Sequence, residues 1–222
     1  MLSIETTVAE LVLDHSECAA VFARYQIDYC CKGNRSLRDA CGERHLDPGM
    51  VLGDCQLAVL RREAPEVDPR TLSTRELITN GIGQHHRYLH RTLPFLQTLS
   101  QKVARVHGDR QVALRELATR VDALATLLLA HLDDEERNLF PALLSQELEI
   151  ARPLLATMRD EHMVVGTMLS ELRWVSNNYA CPEWACNSYR TLMAELAHLE
   201  ADTLRHVHVE NHVLLPRFLA TA

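Results

Sequence analysis

The sequence predicts an all-α protein: an up-down four-helix bundle preceded by a small helical domain that carries a Cys-Cys pair. Three observations predict it. Leu and Ala are abundant while aromatic residues make up only 5% of the chain, a balance that favours helices over sheets. The second two-thirds contains four long apolar stripes at helical spacing, the mark of helices facing a shared interior. The connections between these stripes are short, which makes sequential helices antiparallel neighbours.

The elements follow in order. Thr7-x-x-Glu10 is a capping box, and it opens a helix expected to run through Leu11, Cys18 and Phe22. Asp28-Tyr29-Cys30-Cys31-Lys32-Gly33-Asn34 breaks the pattern and reads as a loop. A short helix follows Ser36. Asp47-Pro48 places an N-cap before a proline at the first helical position, so a further helix runs to about Arg62. The polar, proline-containing stretch around Glu63–Arg70 is the linker, giving domains at 1–62 and 73–222 with 63–72 between them. Ser73-x-x-Glu76 caps the first bundle helix, which runs to about Val106 with Ile82, His86, Leu89, Leu93 and Leu96 on its seam. The second runs from beyond His107-Gly108-Asp109 to about Gln146, with Leu117, Val121, Leu124, Leu128, His131, Glu135 and Leu139. The third begins at Arg152-Pro153 and ends near Asn177-Asn178, with Leu155, Met158, His162, Val165, Leu169 and Leu172. After a loop holding Cys181 and Cys186, the fourth spans about Ser188 to Leu219, with Leu192, Leu196, Leu199, Thr203, His206, Glu210 and Val213.

Bulk properties narrow the function. The net charge is -7 and no block of Lys or Arg stands out, so nucleic acid is not an expected partner. No apolar run reaches the roughly 18 residues of a spanning helix. The segment Met1–Leu11 carries Glu5 and Glu10 and no basic residue, unlike a secretory signal. Seven cysteines with no C-x-x-C pair fit neither a disulfide framework nor a zinc ribbon, so a cytoplasmic location is expected.

Histidine and glutamate interrupt all four apolar seams. An unpaired buried carboxylate costs several kcal/mol, and a bound cation removes that cost. Positions i and i+4 share a helix face, so His131-x-x-x-Glu135 and His206-x-x-x-Glu210 can each present a nitrogen and a carboxylate together. Among twelve histidines about one such pair arises by chance, and alone it would read as a surface salt pair. Here the two pairs, and Pro141 with Pro216, are related by a shift of 75, and His86 with His162 by 76. That repeat gives each half of the bundle one His plus one His-Glu pair. The donors suit iron, manganese or zinc. Six ligands for two ions leave open positions, which suits a reactive di-iron site, whereas structural zinc wants one closed four-coordinate site.

His86, His131-x-x-x-Glu135, His162 and His206-x-x-x-Glu210 resemble the ligand set of the hemerythrin-like superfamily. With the stretch Asp28-Tyr29-Cys30-Cys31-Lys32-Gly33, the chain resembles over nearly its whole length the "repair of iron centres" family, which pairs a Cys-Cys domain with a hemerythrin-like domain. Oxygen carriers have a second histidine one turn after the helix-three ligand; here that position is Gly166, a departure the repair family shares. The resemblance implies two non-haem iron ions, bridged by Glu135 and Glu210 and held at the ends by the four histidines. It implies a role in nitrosative and oxidative stress, with damaged or apo iron-sulfur proteins and nitric oxide as partners. An iron-donating repair protein, a nitric-oxide buffer or sensor, and a nitric oxide reductase all remain open, and a homodimer is compatible with each. Cys30 and Cys31 read as a redox or metal-relay pair, or as two ordinary thiols. Glu161 resembles a family carboxylate that could handle protons, with an exposed acid as the alternative. Asp202, one turn before His206, reads either as a group orienting a ligand imidazole or as a solvated charge. His85 and His90 flank His86, His198, His208 and His212 read as surface or supporting residues, and His107 carries no signal.

Overall fold

The computed structural model describes residues 2–62 and 67–219, so the Glu63–Glu66 part of the expected linker lies outside the described residues. Among them the secondary structure is helical, with a single antiparallel bridge between Thr7 and Ser36. The chain divides into two compact units: Ile78–Thr203, and Met1–Leu77 together with Leu204–Ala222.

The unit Ile78–Thr203 is the bundle. Its long helices are α6 (Gly83–His107), α7 (Ala113–Asp134), α9 (Leu148–Val175) and the part of α10 (Asn187–Val209) up to Thr203. Cross-helix contacts fix their directions. Between α6 and α7, Gln101 bonds Asp122, whereas His86, earlier in α6, meets Glu136, just beyond α7. Arg120 of α7 pairs with Glu171 of α9, while the later His131 meets the earlier His162. His85 and Tyr88 of α6 contact Asp202 and His198 of α10 in the same reversed order. Neighbours are therefore antiparallel, as the short connections require. Every apolar seam position expected from the sequence is buried, and each fully buried Leu contributes roughly 1.5–3 kcal/mol.

One boundary of the bundle differs from expectation, and the end of the same helix falls where expected, near Asn177-Asn178. Helix α9 starts at Leu148, not at Arg152-Pro153. The preceding helix α8 (Phe140–Leu144) closes with Glu147 N–H on Ala142 O (2.9 Å) and a left-handed Gln146, and the chain re-enters a helix at once. Pro153 then costs one internal hydrogen bond inside α9 instead of marking its first turn. At the other end Asn177, Asn178 and Tyr179 have φ of 51°, 56° and 59°, a left-handed run that Asn tolerates and that stops the helix.

The Met1–Leu77 portion of the second unit holds α1 (Val8–Asp14), α2 (Cys18–Arg24), α3 (Leu37–Glu43), α4 (Pro48–Leu60) and the single turn α5 (Thr74–Glu76). The expected single helix from Thr7 through Phe22 is thus two, broken at an extended His15. Val8, Leu11 and Val12 of α1 and Cys18, Val21 and Phe22 of α2 all enter one small core, which a straight helix of about 25 Å could not fold around. The capping box at Thr7, the Ser36 cap and the Asp47-Pro48 start form as the sequence indicates. Val207 and Leu204, from the last turns of α10, complete this core within the same unit.

Two π-turns matter for the chemistry. One covers Glu135–Leu139 and the other Glu210–Leu214, each opening on a glutamate. Phe140 N–H bonds Glu135 O, and Leu215 N–H bonds Glu210 O at 2.8 Å, five residues back instead of four. Pro141 and Pro216 follow at the same offset. Neither can donate to the carbonyl four residues back, and an α-helical path would press the ring against it, so the turn before each widens.

Candidate metal centre

Within the bundle, His86, His131, Glu135 and His162 converge. Each is at most 3% exposed. Glu135 lies between two imidazoles: its Oε2 is 3.4 Å from His86 Nε2 and its Oε1 is 3.4 Å from His131 Nε2. His162 Nε2 lies 3.2 Å from His131 Nε2, and the ligand atoms of His131, Glu135 and His162 are all within 4.8 Å of one another.

The opposite ring nitrogens are held by carboxylates. His86 Nδ1 meets Glu136 Oε1 at 2.8 Å, and His131 Nδ1 meets Glu161 Oε2 at 2.6 Å. As donors to these carboxylates, the two Nδ1–H groups turn both Nε2 lone pairs toward Glu135. Lone pairs aimed at a buried carboxylate repel it, and neither oxygen of Glu135 accepts a hydrogen bond among the described residues. The donor set therefore fits a cation. Two ligands ~2.1 Å from one ion, held about 90–110° apart, stand ~3.0–3.4 Å from each other, the spacing found here.

In the other unit the last segment carries its own buried pair, His206 Nε2 at 2.9 Å from Glu210 Oε1. The same segment grips the cysteine loop. His208 Nδ1 donates to Tyr29 O (3.2 Å), while Asn211 Nδ2 (3.0 Å) and His212 Nε2 (2.9 Å) donate to Cys30 O. Burial, reinforced by His212, pushes His208 down to about 3 despite the opposing hydrogen bond to Tyr29 O, so the ring is neutral. Gly33 allows the close approach. A Cβ there would lie 2.7 Å from both Ala9 Cβ and His212 Nε2, and would collide with Tyr29 O.

Cys30 and Cys31 sit side by side without a disulfide between them, Sγ to Sγ 3.4 Å. Asp28 Oδ1 accepts from Cys30 N (3.1 Å) and Cys31 N (2.9 Å), which shapes the turn. The Cys31 contact, burial and Asp28 together push the Cys30 thiol well up, so it is held protonated; Cys31 is partly exposed.

Several supporting residues differ from the sequence reading. Asp202 bonds His85 at 2.8 Å, so the histidine it orients lies in α6 and not one turn ahead in its own helix. His90 shares Glu136 with His86, at 3.2 Å. Burial raises the Glu136 carboxyl, but hydrogen bonds from His86 and His90 bring it below the usual carboxylate range. Glu136 itself was not singled out, because its partner lies 50 residues away and helix periodicity carries no information about it. His208 is buried and His212 half-buried, so of the two readings the supporting one holds, and their i, i+4 spacing around Asn211 was the available signal.

No helix among the described residues is long and apolar enough to cross a membrane. Comparison with known proteins gives two domain matches: the hemerythrin HHE cation binding domain over residues 77–218, and ScdA_N, a domain of unknown function (DUF542), over residues 4–57. The chain is 31% identical over 216 residues to the iron-sulfur cluster repair protein YtfE of Musicola paradisiaca (strain Ech703), covering 97% of this chain and 96% of that protein. It is 32% identical over 213 residues to YtfE of Enterobacter sp. (strain 638), covering 96% of each. It is 28% identical to the iron-sulfur cluster repair protein ScdA of Staphylococcus haemolyticus (strain JCSC1435) over 222 residues, 98% of this chain and all of that protein. With the buried His/Glu cluster, the Cys-Cys loop and these full-length matches, the chain belongs to the hemerythrin-like superfamily and, within it, to the family of YtfE and ScdA, the repair of iron centres family.

Proposed function

We propose that the protein holds two iron ions on His86, His131, Glu135, His162, His206 and Glu210, and that it donates iron to damaged iron-sulfur proteins in the cytoplasm under nitrosative and oxidative stress. The observation that carries this reading is Glu135, whose two oxygens face two different imidazoles at 3.4 Å, so that one carboxylate would serve an ion on either side. His206 and Glu210 enter through the repeat: a shift of 75 residues maps His131 onto His206, Glu135 onto Glu210, and the π-turn at Glu135 onto the one at Glu210. The repair role rests on the relatives' names.

When bound, ferrous iron with open coordination positions would supply affinity for nitric oxide and a metal weakly enough held to leave for a recipient. The chain's own residues set up that situation. Glu136 and Glu161 fix the rotation of His86 and His131 and hold their Nδ1 protons. In this reading Glu161 is a positioning group for His131. Gly166, one turn after His162, offers no ligand, which keeps coordination incomplete. Leu89, Leu128, Leu132, Phe140 and Val165 are buried beside these positions in sequence and keep bulk water from the carboxylate.

Anaerobic purification with metal analysis and Mössbauer spectroscopy tests the centre, and transfer of labelled iron to an apo iron-sulfur protein tests the function. Two irons per chain and transfer are the expected results. Near-stoichiometric zinc without iron overturns the centre. Nitrosyl formation without transfer favours a nitric-oxide buffer, and catalytic release of nitrous oxide favours a reductase.

A further inference from the structure

At the opposite end of the bundle from His131, outside the His/Glu cluster, a nucleophile and a base meet. Cys186 is exposed, and its Sγ lies 3.1 Å from His107 Nε2. Backbone position reinforces the pair. Cys186 immediately precedes the 23-residue helix α10, and its carbonyl accepts the N–H of Arg190 at 3.0 Å, so it occupies the N-cap. His107 is the last residue of the 25-residue helix α6. A helix N-terminus favours a negative charge and a C-terminus a positive one. The thiol and the imidazole are thus a nucleophile and a base within hydrogen-bond reach.

The surroundings hold this geometry and add a binding element. Arg190 clamps the loop through Nε to Ala185 O (3.0 Å) and Nη2 to Glu183 O (2.8 Å). Trp184 and Tyr189 flank His107, with ring centroids at 5.7 and 6.0 Å. The Arg110 guanidinium stacks at 4.1 Å from the ring centre of Trp184, the ring that packs against His107.

We propose that Cys186 is an S-thiolation site that takes low-molecular-weight disulfides bearing carboxylates, with His107 as the base and Arg110 as the anion-recognising group. The step is thiol–disulfide exchange. The thiol proton passes to His107 Nε2, and the thiolate attacks one sulfur of the disulfide. That S–S bond breaks as the bond to Cys186 Sγ forms, and the second sulfur leaves as a thiolate that takes the proton back. The incoming disulfide is the oxidant, and Cys186 is the group oxidised.

The full-length reduced protein is incubated with glutathione disulfide, and adducts are located by intact mass and peptide mapping. Cys186 is expected to be modified at least about tenfold faster than Cys181, the other cysteine of the same loop, and His107→Gln is expected to slow it about tenfold. Arg110→Ala slows reaction with glutathione disulfide but leaves the rate with neutral bis(2-hydroxyethyl) disulfide unchanged. The wild-type comparison needs no variant to fold. Equal rates at Cys186 and Cys181, or a His107→Gln protein that reacts like wild type, overturn the site. Equal slowing of both disulfides by Arg110→Ala overturns the carboxylate preference.

Discussion

Replacing Glu135 by Gln is expected to move stability in opposite directions with and without metal. Glu135 is 2% exposed, and its oxygens face imidazole nitrogens at 3.4 Å, beyond the ~3.2 Å reach of a good N–H···O bond. The Nδ1–H groups of those imidazoles are already committed to Glu136 and Glu161. An uncompensated buried charge costs about 3–5 kcal/mol. The polar neighbours offset part of this, so the neutral amide should stabilise the metal-free protein by ~2 kcal/mol. With ferrous ion at a hundred times its dissociation constant, the wild type gains about 2.7 kcal/mol. The amide, lacking the bridging charge, should forgo most of that gain. Anaerobic urea unfolding of chelator-stripped and iron-loaded samples reads both differences. For a chain of this size thermal midpoints should differ by ~4–8 °C in favour of the amide without metal, and by only ~1–3 °C in favour of the wild type when loaded. A metal-free Glu135→Gln protein less stable than wild type by about 1 kcal/mol or more would refute the reasoning, since it would mean that protonated imidazoles already compensate the carboxylate.

Three further outcomes are expected. Gly33→Ala should destabilise the protein by ~1–3 kcal/mol in chemical denaturation, because the added Cβ meets Ala9 and the Tyr29 carbonyl and cannot be relieved by a rotamer change. Glu136→Ala and Glu161→Ala should each weaken iron binding about 10–100-fold in competition with a chelator while helical content stays constant; unchanged affinity would remove their positioning role. Iodoacetamide at mildly alkaline pH should label Cys31 before Cys30, whose thiol is raised by the Cys31 contact, burial and Asp28. The sign for stability follows: the fold holds the Cys30 proton more tightly than the unfolded chain does, so this contribution is lost as pH climbs past the ordinary thiol value of 9.0. Labelling of both cysteines at equal rates would contradict that burial.

Local sequence was enough for the bundle seams, the three caps at Thr7, Asp47 and Ser73, and the four bundle residues that converge in Ile78–Thr203. Each is written in spacing along one helix: which residues share a face follows from 3.6 residues per turn. Three things were decided only by tertiary structure. The rotation of His86 and His131 depends on Glu136 and Glu161, which lie 50 and 30 residues away on neighbouring elements. The split of the first expected helix at His15 follows from both halves sharing one small core. The grip of His208, Asn211 and His212 on the Cys30 loop joins positions about 180 residues apart. Periodicity reports a residue's direction from its own helix axis. What that residue meets there is set by packing against chain remote in sequence, and that is where the imidazoles acquire their partners.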